Sequence, residues 1–148
     1  MQEMKPKVVI DTNVIISSLL SEGYPYKIFN EIIFDNKVIL LLSEEIINEY
    51  VDVLSRKKFT KYPDFNYNAK LFLDTITVNS KMINVNTSID LLSDKDDNKF
   101  LELAIDGTAD FLITGNIKHF PSSGYNNIVI ESPKDFYLRF LKIMVPNK

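Results

Sequence analysis

Short, uninterrupted apolar runs recur along this chain, and they constrain its fold more than any other feature. Lys7-Val8-Val9-Ile10, Val38-Ile39-Leu40-Leu41-Leu42, Asp110-Phe111-Leu112-Ile113-Thr114 and Asn127-Ile128-Val129-Ile130 are four such segments, and Met82-Ile83-Asn84-Val85 is a weaker fifth. A strand with one wet face alternates polar and apolar residues, whereas a strand covered on both faces reads as a continuous apolar run. Between the runs lie segments with helical spacing. Residues 25–35 carry Ile28, Phe29, Ile32 and Ile33, and residues 44–57 carry Ile46, Ile47, Tyr50, Val51 and Leu54. Residues 96–106 carry Phe100, Leu101, Ala104 and Ile105, residues 133–144 carry Phe136, Phe140, Leu141 and Met144, and 67–79 form a weaker helical stretch. Strands alternating with helices predict an α/β/α sandwich around a mostly parallel sheet of four to five strands. At 148 residues, with no repeat and no composition break, the chain is expected to form one domain over 1–148. Asn126-Asn127 is read as compositional bias.

Composition narrows the chemistry. The chain has no cysteine, one histidine (His119) and four glycines. Thiolate metal sites, disulfides, cysteine nucleophiles and glycine-rich phosphate loops are thereby excluded, and histidine-rich sites are disfavoured. The 17 basic and 20 acidic side chains leave a formal charge of 17 − 20 = −3, so a polyanionic ligand would have to meet a local basic surface or bound cations. No apolar run approaches the ~20 residues of a membrane span. Asp11-Thr12-Asn13 interrupts the apolar N-terminal stretch and no small-residue cleavage site follows, so the expected location is cytoplasmic, with no membrane partner.

In a parallel α/β sheet, ligands bind outside the carboxyl ends of the strands. Asp11 directly follows the first strand run; it either caps a helix starting near Asn13 or presents a carboxylate at that edge. At about 100° per residue, Asp97 shares a helix face with Phe100, Leu101, Ala104 and Ile105, which turns it toward the sheet. The start of this helix fits a capping box of Ser93 with Asp96 or of Asp94 with Asp97; Asp97 either caps in this way or works in a buried site while Asp94 and Asp96 cap. Glu49 flanks the apolar face of the 44–57 helix and is either a solvated helix glutamate or a carboxylate reaching a seam; Glu44 and Glu45 suit the positive end of the helix dipole. Asn116 follows the 110–114 run as a turn residue or as an oxygen donor to a hard cation. Carboxylates gathered at one sheet edge repel one another unless a cation lies between them, and Mg²⁺ or Mn²⁺ takes such oxygen ligands.

Four segments, in order, resemble the PIN-domain family, in the branch of toxin components of prokaryotic toxin–antitoxin pairs. They are Val8-Val9-Ile10-Asp11-Thr12-Asn13-Val14, Ser43-Glu44-Glu45-Ile46-Ile47-Asn48-Glu49-Tyr50, residues 94–104 around Asp96-Asp97-Asn98, and residues 109–120 around Thr114-Gly115-Asn116. The resemblance implies a Rossmann-like fold and a Mg²⁺- or Mn²⁺-dependent endoribonuclease cutting single-stranded or structured RNA. It matches Asp11, Glu49 and Asp97 to the family's acids, as catalytic residues and metal ligands. The family often has a fourth acid at the position of Asn116 or three residues on, where this chain has His119, and its lack points to one firmly bound ion. Thr12 and Thr114 would orient carboxylates or water, with Asn13 and Asp96 beside them. A cognate antitoxin and a homodimer are the partners the resemblance implies.

Arg56, Lys57, Lys58 and Lys61, interleaved with Phe59 and Tyr62, suit single-stranded RNA, where phosphates pair with cations and bases stack on rings; a helix C-terminus is the competing reason for cations there. His119 is expected to be a loop or packing residue, with a phosphate contact as the alternative. Two other functions stay open: a degenerate PIN fold that binds RNA or protein without cutting, and a phosphoryl-transfer enzyme of haloacid-dehalogenase type. The latter wants a second Asp two residues after the first, where this chain has Asn13.

Overall fold

The computed structural model describes residues 4–92, 95–121 and 124–144. Five strands form one sheet in the order β3-β2-β1-β4-β5, and every pairing is parallel. The strands are β1 (Lys7–Ile10), β2 (Ile39–Leu42), β3 (Ser80–Met82), β4 (Phe111–Ile113) and β5 (Val129–Glu131). The helices are α1 (Thr12–Leu20), α2 (Tyr24–Ile28), α3 (Glu44–Leu54), α4 (Phe65–Val78), α5 (Lys95–Asp106) and α6 (Pro133–Met144). Val8, Val9 and Ile10 of the central strand are wholly buried, as are Leu41, Leu42, Leu112 and Ile113. Both faces are covered, which is why these strands carry no polar alternation. The edge strand β3, Ser-Lys-Met, is mostly exposed, and its short length and lysine discourage further pairing. Among the described residues no helix is long and apolar enough to cross a membrane.

Several elements differ from their sequence reading. The helical stretch expected over 25–35 is α2 followed by a turn of π-helix at Phe29–Ile33, which keeps Ile28, Phe29, Ile32 and Ile33 all buried. Helix α3 stops at Leu54, short of 57, because the backbone turns extended at Arg56, just after the Ser55 C-cap. Asn126-Asn127 is a signal after all. Both residues have positive φ, 49° and 67°, and the flanking Tyr125 and Ile128 exchange two backbone hydrogen bonds. Asparagine tolerates that left-handed backbone, so the pair makes a tight hairpin turn and β5 begins only at Val129. Ser93 and Asp94, half of the expected capping box, lie outside the described residues.

A further regularity was not visible in the sequence. Asn98, Glu102 and Asp106 sit four residues apart on α5 and form one row. Their oxygens accept the backbone amides of Leu92 (3.1 Å), Ile89 (2.9 Å) and Thr87 with Asn86 (2.8 and 2.6 Å). The irregular strand-to-helix connection thus runs antiparallel along α5 and is buttoned to it, with its orphan amides satisfied by side chains.

Candidate active site at the carboxyl edge of the sheet

The chain moves outward from β1 through β2 to β3, then returns to the other flank for β4 and β5. The reversal falls between β1 and β4, the crevice where parallel α/β sheets place ligands. Ile10 is in register with Ile113, and the Asp11 amide extends the ladder to the Ile113 carbonyl at 2.9 Å. Asp11 and Thr114 therefore come next to each other, and the Thr114 hydroxyl donates to Asp11 Oδ2 at 2.7 Å. The same hydroxyl oxygen accepts the Asn116 amide at 3.0 Å, which fixes its proton on the carboxylate. Asp11 occupies the N-cap position of α1 but makes no side-chain capping bond, so its carboxylate faces the crevice. Asn13 reaches across the same crevice and accepts the Gly115 amide at 3.2 Å.

Glu49 comes in from α3. One of its oxygens accepts the Thr12 hydroxyl and the other is ion-paired with the Lys99 ammonium; the two charged side chains are only 15% and 17% exposed. The next residue, Tyr50, is buried and donates to the Ile10 carbonyl, which pins α3 to the end of β1. Asp97, in the first turn of α5, is 7% exposed, and its Oδ2 lies 2.9 Å from His119 Nδ1. Asp96 is exposed, with its carboxylate 3.9 Å from Lys99.

Electrostatics follow the geometry. Burial pushes the Asp11 carboxyl up to about 6; the Thr114 hydrogen bond pulls it back, and the Asp97 and Glu49 charges add to the rise. Burial also holds the Tyr50 phenol well above its ordinary value, reinforced by Asp11 and Glu49. For Lys99, burial alone lowers the ammonium, but the Glu49 carboxylate more than offsets it and the net direction is upward.

The structure brings Asp11, Glu49, Asp97, Thr12 and Thr114 to one edge. Asn116 contributes its backbone amide while its side chain is exposed, making no hydrogen bond among the described residues. Lys99 was not among the expected site residues, and only the packing of α3 against α5 reveals its partner Glu49. His119 is placed at the site, half-exposed against Asp97, and is not a packing residue.

The basic segment is arranged differently from its sequence reading. Phe59 is buried and stacked on Phe65 at 4.7 Å between ring centres, so it offers no face to a base. Tyr62 remains exposed beside Lys61, Lys58 lies over the Phe59 ring, and Arg56 pairs with Asp52 at 3.4 Å. Arg56, Lys57 and Lys58 directly follow the Ser55 C-cap of α3, so a helix C-terminus remains the competing reason for cations there.

A family model described as PIN domain matches residues 7–118. The chain belongs to the PIN domain family. It is 35% identical to an uncharacterised protein of Methanocaldococcus jannaschii, over 97% of each chain. A solved relative in fold, the crystal structure of VapBC2 from Rickettsia felis bound to a DNA fragment from their promoter, superposes with a TM-score of 0.54 at 18% identity. That match covers 85% of this chain and 98% of the other.

Among the described residues, no three Asp, Glu or His side chains form a ready metal-ligand cluster in this PIN domain. The donor chemistry nevertheless suits a hard divalent ion. Asp11 and Asp97 are buried carboxylates that repel each other, and burial without a countercharge is what raises Asp11.

Proposed function

We propose that this PIN domain is a metal-dependent endoribonuclease acting on single-stranded RNA, the toxin of a type II toxin–antitoxin pair. The observation that carries the reading is the buried pair Asp11 and Asp97 with Glu49 at the strand-reversal crevice, its acid Asp11 lifted to about 6. Asp11 and Asp97 would hold Mg²⁺ or Mn²⁺. Bound there, the ion would supply charge neutralisation at the phosphodiester and a lowered pKa for water.

The chain's own residues do the rest. Thr114 keeps Asp11 oriented, and Thr12 with Lys99 holds Glu49 in place to take a proton from the attacking water. The half-exposed His119 stands beside Asp97, where a phosphate oxygen would approach. Lys57, Lys58 and Lys61 give the strand a cationic track, with Tyr62 as its stacking face. The likeness in fold to VapBC2 supports an antitoxin partner that covers the crevice, and a homodimer is part of the same reading.

The test is cleavage of a labelled single-stranded RNA with Mn²⁺ or Mg²⁺ against EDTA. Asp11→Asn and Asp97→Asn should each lower the rate by about two orders of magnitude or more, with circular dichroism unchanged. Full activity of either variant, with contamination excluded, would remove the assignment. The commitment of Glu49 to Lys99 favours one second reading, an RNA-binding PIN fold that does not cut. RNA binding that persists in EDTA with no cleavage in either metal would select it.

A further inference from the structure

Lys99 is placed where a helix lysine has little reason to be. An ammonium is strongly hydrated, and a flexible four-carbon stem on α5 can ordinarily reach water. Here the stem crosses to α3, and the head is largely removed from water against Glu49, itself largely buried. Withdrawing both charges from solvent is costly unless they meet, so the contact belongs to the electrostatics of the crevice. Lys99 thus sets one positive charge among the acids Asp11, Glu49 and Asp97 at the edge, with Asp96 and Glu45 adding to the negative field around it.

This reasoning rests on the metal reading above and deepens it. We propose that Lys99 is a positioning residue standing where a second cation would otherwise be drawn: it holds Glu49 and limits the site to one divalent ion. A second ion beside Glu49 would have to displace an ammonium whose like charge opposes it at a few ångströms in a partly dehydrated site. Glu49 is then fixed by Thr12 on one side and Lys99 on the other, oriented without being a ligand.

Calorimetric titration of Mn²⁺ into the full chain, with electron paramagnetic resonance to count bound ions, tests this. Wild type and Lys99→Arg should each bind one Mn²⁺. Lys99→Met should bind its first ion about tenfold more tightly and accept a second. Glu49→Gln, which leaves the site one charge short, should bind about tenfold more weakly, and Glu49→Gln with Lys99→Met should recover wild-type affinity because the two changes cancel in charge. Two ions in wild type, or one ion at unchanged affinity in Lys99→Met, would overturn the role of Lys99. If Lys99→Met does not fold, the double variant decides: affinity remaining at the Glu49→Gln level sinks the proposal. Wild type that binds no Mn²⁺ overturns the metal reading itself and this inference with it; one ion in wild type and unchanged binding in Lys99→Met defeats only the latter.

Discussion

At the scale of single residues, the site is paid for by Asp11. The carboxyl titrates near 6 in the folded, metal-free protein, against 3.8 as its ordinary value. Between those values the native state binds more protons than the unfolded chain, so stability falls as pH rises through that window. The full contribution is roughly 3 kcal/mol, of which about 1–2 kcal/mol is lost between pH 5 and pH 7.5. Asp11→Asn keeps an oxygen for the Thr114 hydroxyl and removes the buried charge. In EDTA it should be more stable than wild type at pH 7.5 and should lack most of that pH-dependent loss. Urea unfolding at the two pH values checks this; equal slopes with pH in both proteins would mean that Asp11 is already neutralised by protein groups. A substitution that stabilises the fold while ending cleavage marks a residue kept for chemistry.

At the scale of elements, α5 does two jobs with two faces. Phe100, Leu101 and Ala104 bury against the sheet, with Asp97 on the same side at the site. The row of Asn98, Glu102 and Asp106 holds the 84–92 connection by its backbone amides. Holding that connection anchors the approach to the first turn of α5, and so the position of Asp97. Three hydrogen bonds from Asn86 and Thr87 also hold the half-buried Asp106 carboxyl below its ordinary value. Asp106→Ala should speed hydrogen exchange at the Asn86 and Thr87 amides by about tenfold or more, with the Ile89 amide, which is held by Glu102, much less affected. Uniform acceleration along 84–92 would show that the connection opens as one piece.

For the whole molecule, the net charge of −3 means that binding of RNA, the proposed substrate, requires a local basic surface. The exposed lysines after α3 are the largest such cluster in the sequence, and their aromatic partners are unequal, since Phe59 belongs to the core and Tyr62 does not. Lys57→Ala with Lys58→Ala should weaken RNA binding and reduce the salt slope of log Kd by up to about 1.4, near 0.7 for each lost phosphate contact. Fluorescence anisotropy over a salt series measures it. An unchanged slope would leave these lysines as surface charges with no part in binding. Tyr62→Ala, if the ring stacks on a base, should lower affinity by about tenfold without altering that slope.

Local pattern alone was enough to specify the parallel sheet, the order of its covering helices, the strand-end placement of Asp11 and the sheet-facing placement of Asp97 on its helix. Burial on both faces leaves continuous apolar runs, and an acid on an apolar helix face has to turn inward. The Asn126-Asn127 turn is equally local, since adjacent asparagines tolerate the positive φ that a tight turn needs. What no linear pattern contains is which charges meet across helices. Lys99 with Glu49 and His119 with Asp97 join residues 50 and 22 positions apart. Only the packing of α3 on α5, and of the β4 turn beside the start of α5, decides those pairs. Hydrophobic period is written residue by residue; charge complementarity depends on distance in space, and folding alone sets that distance.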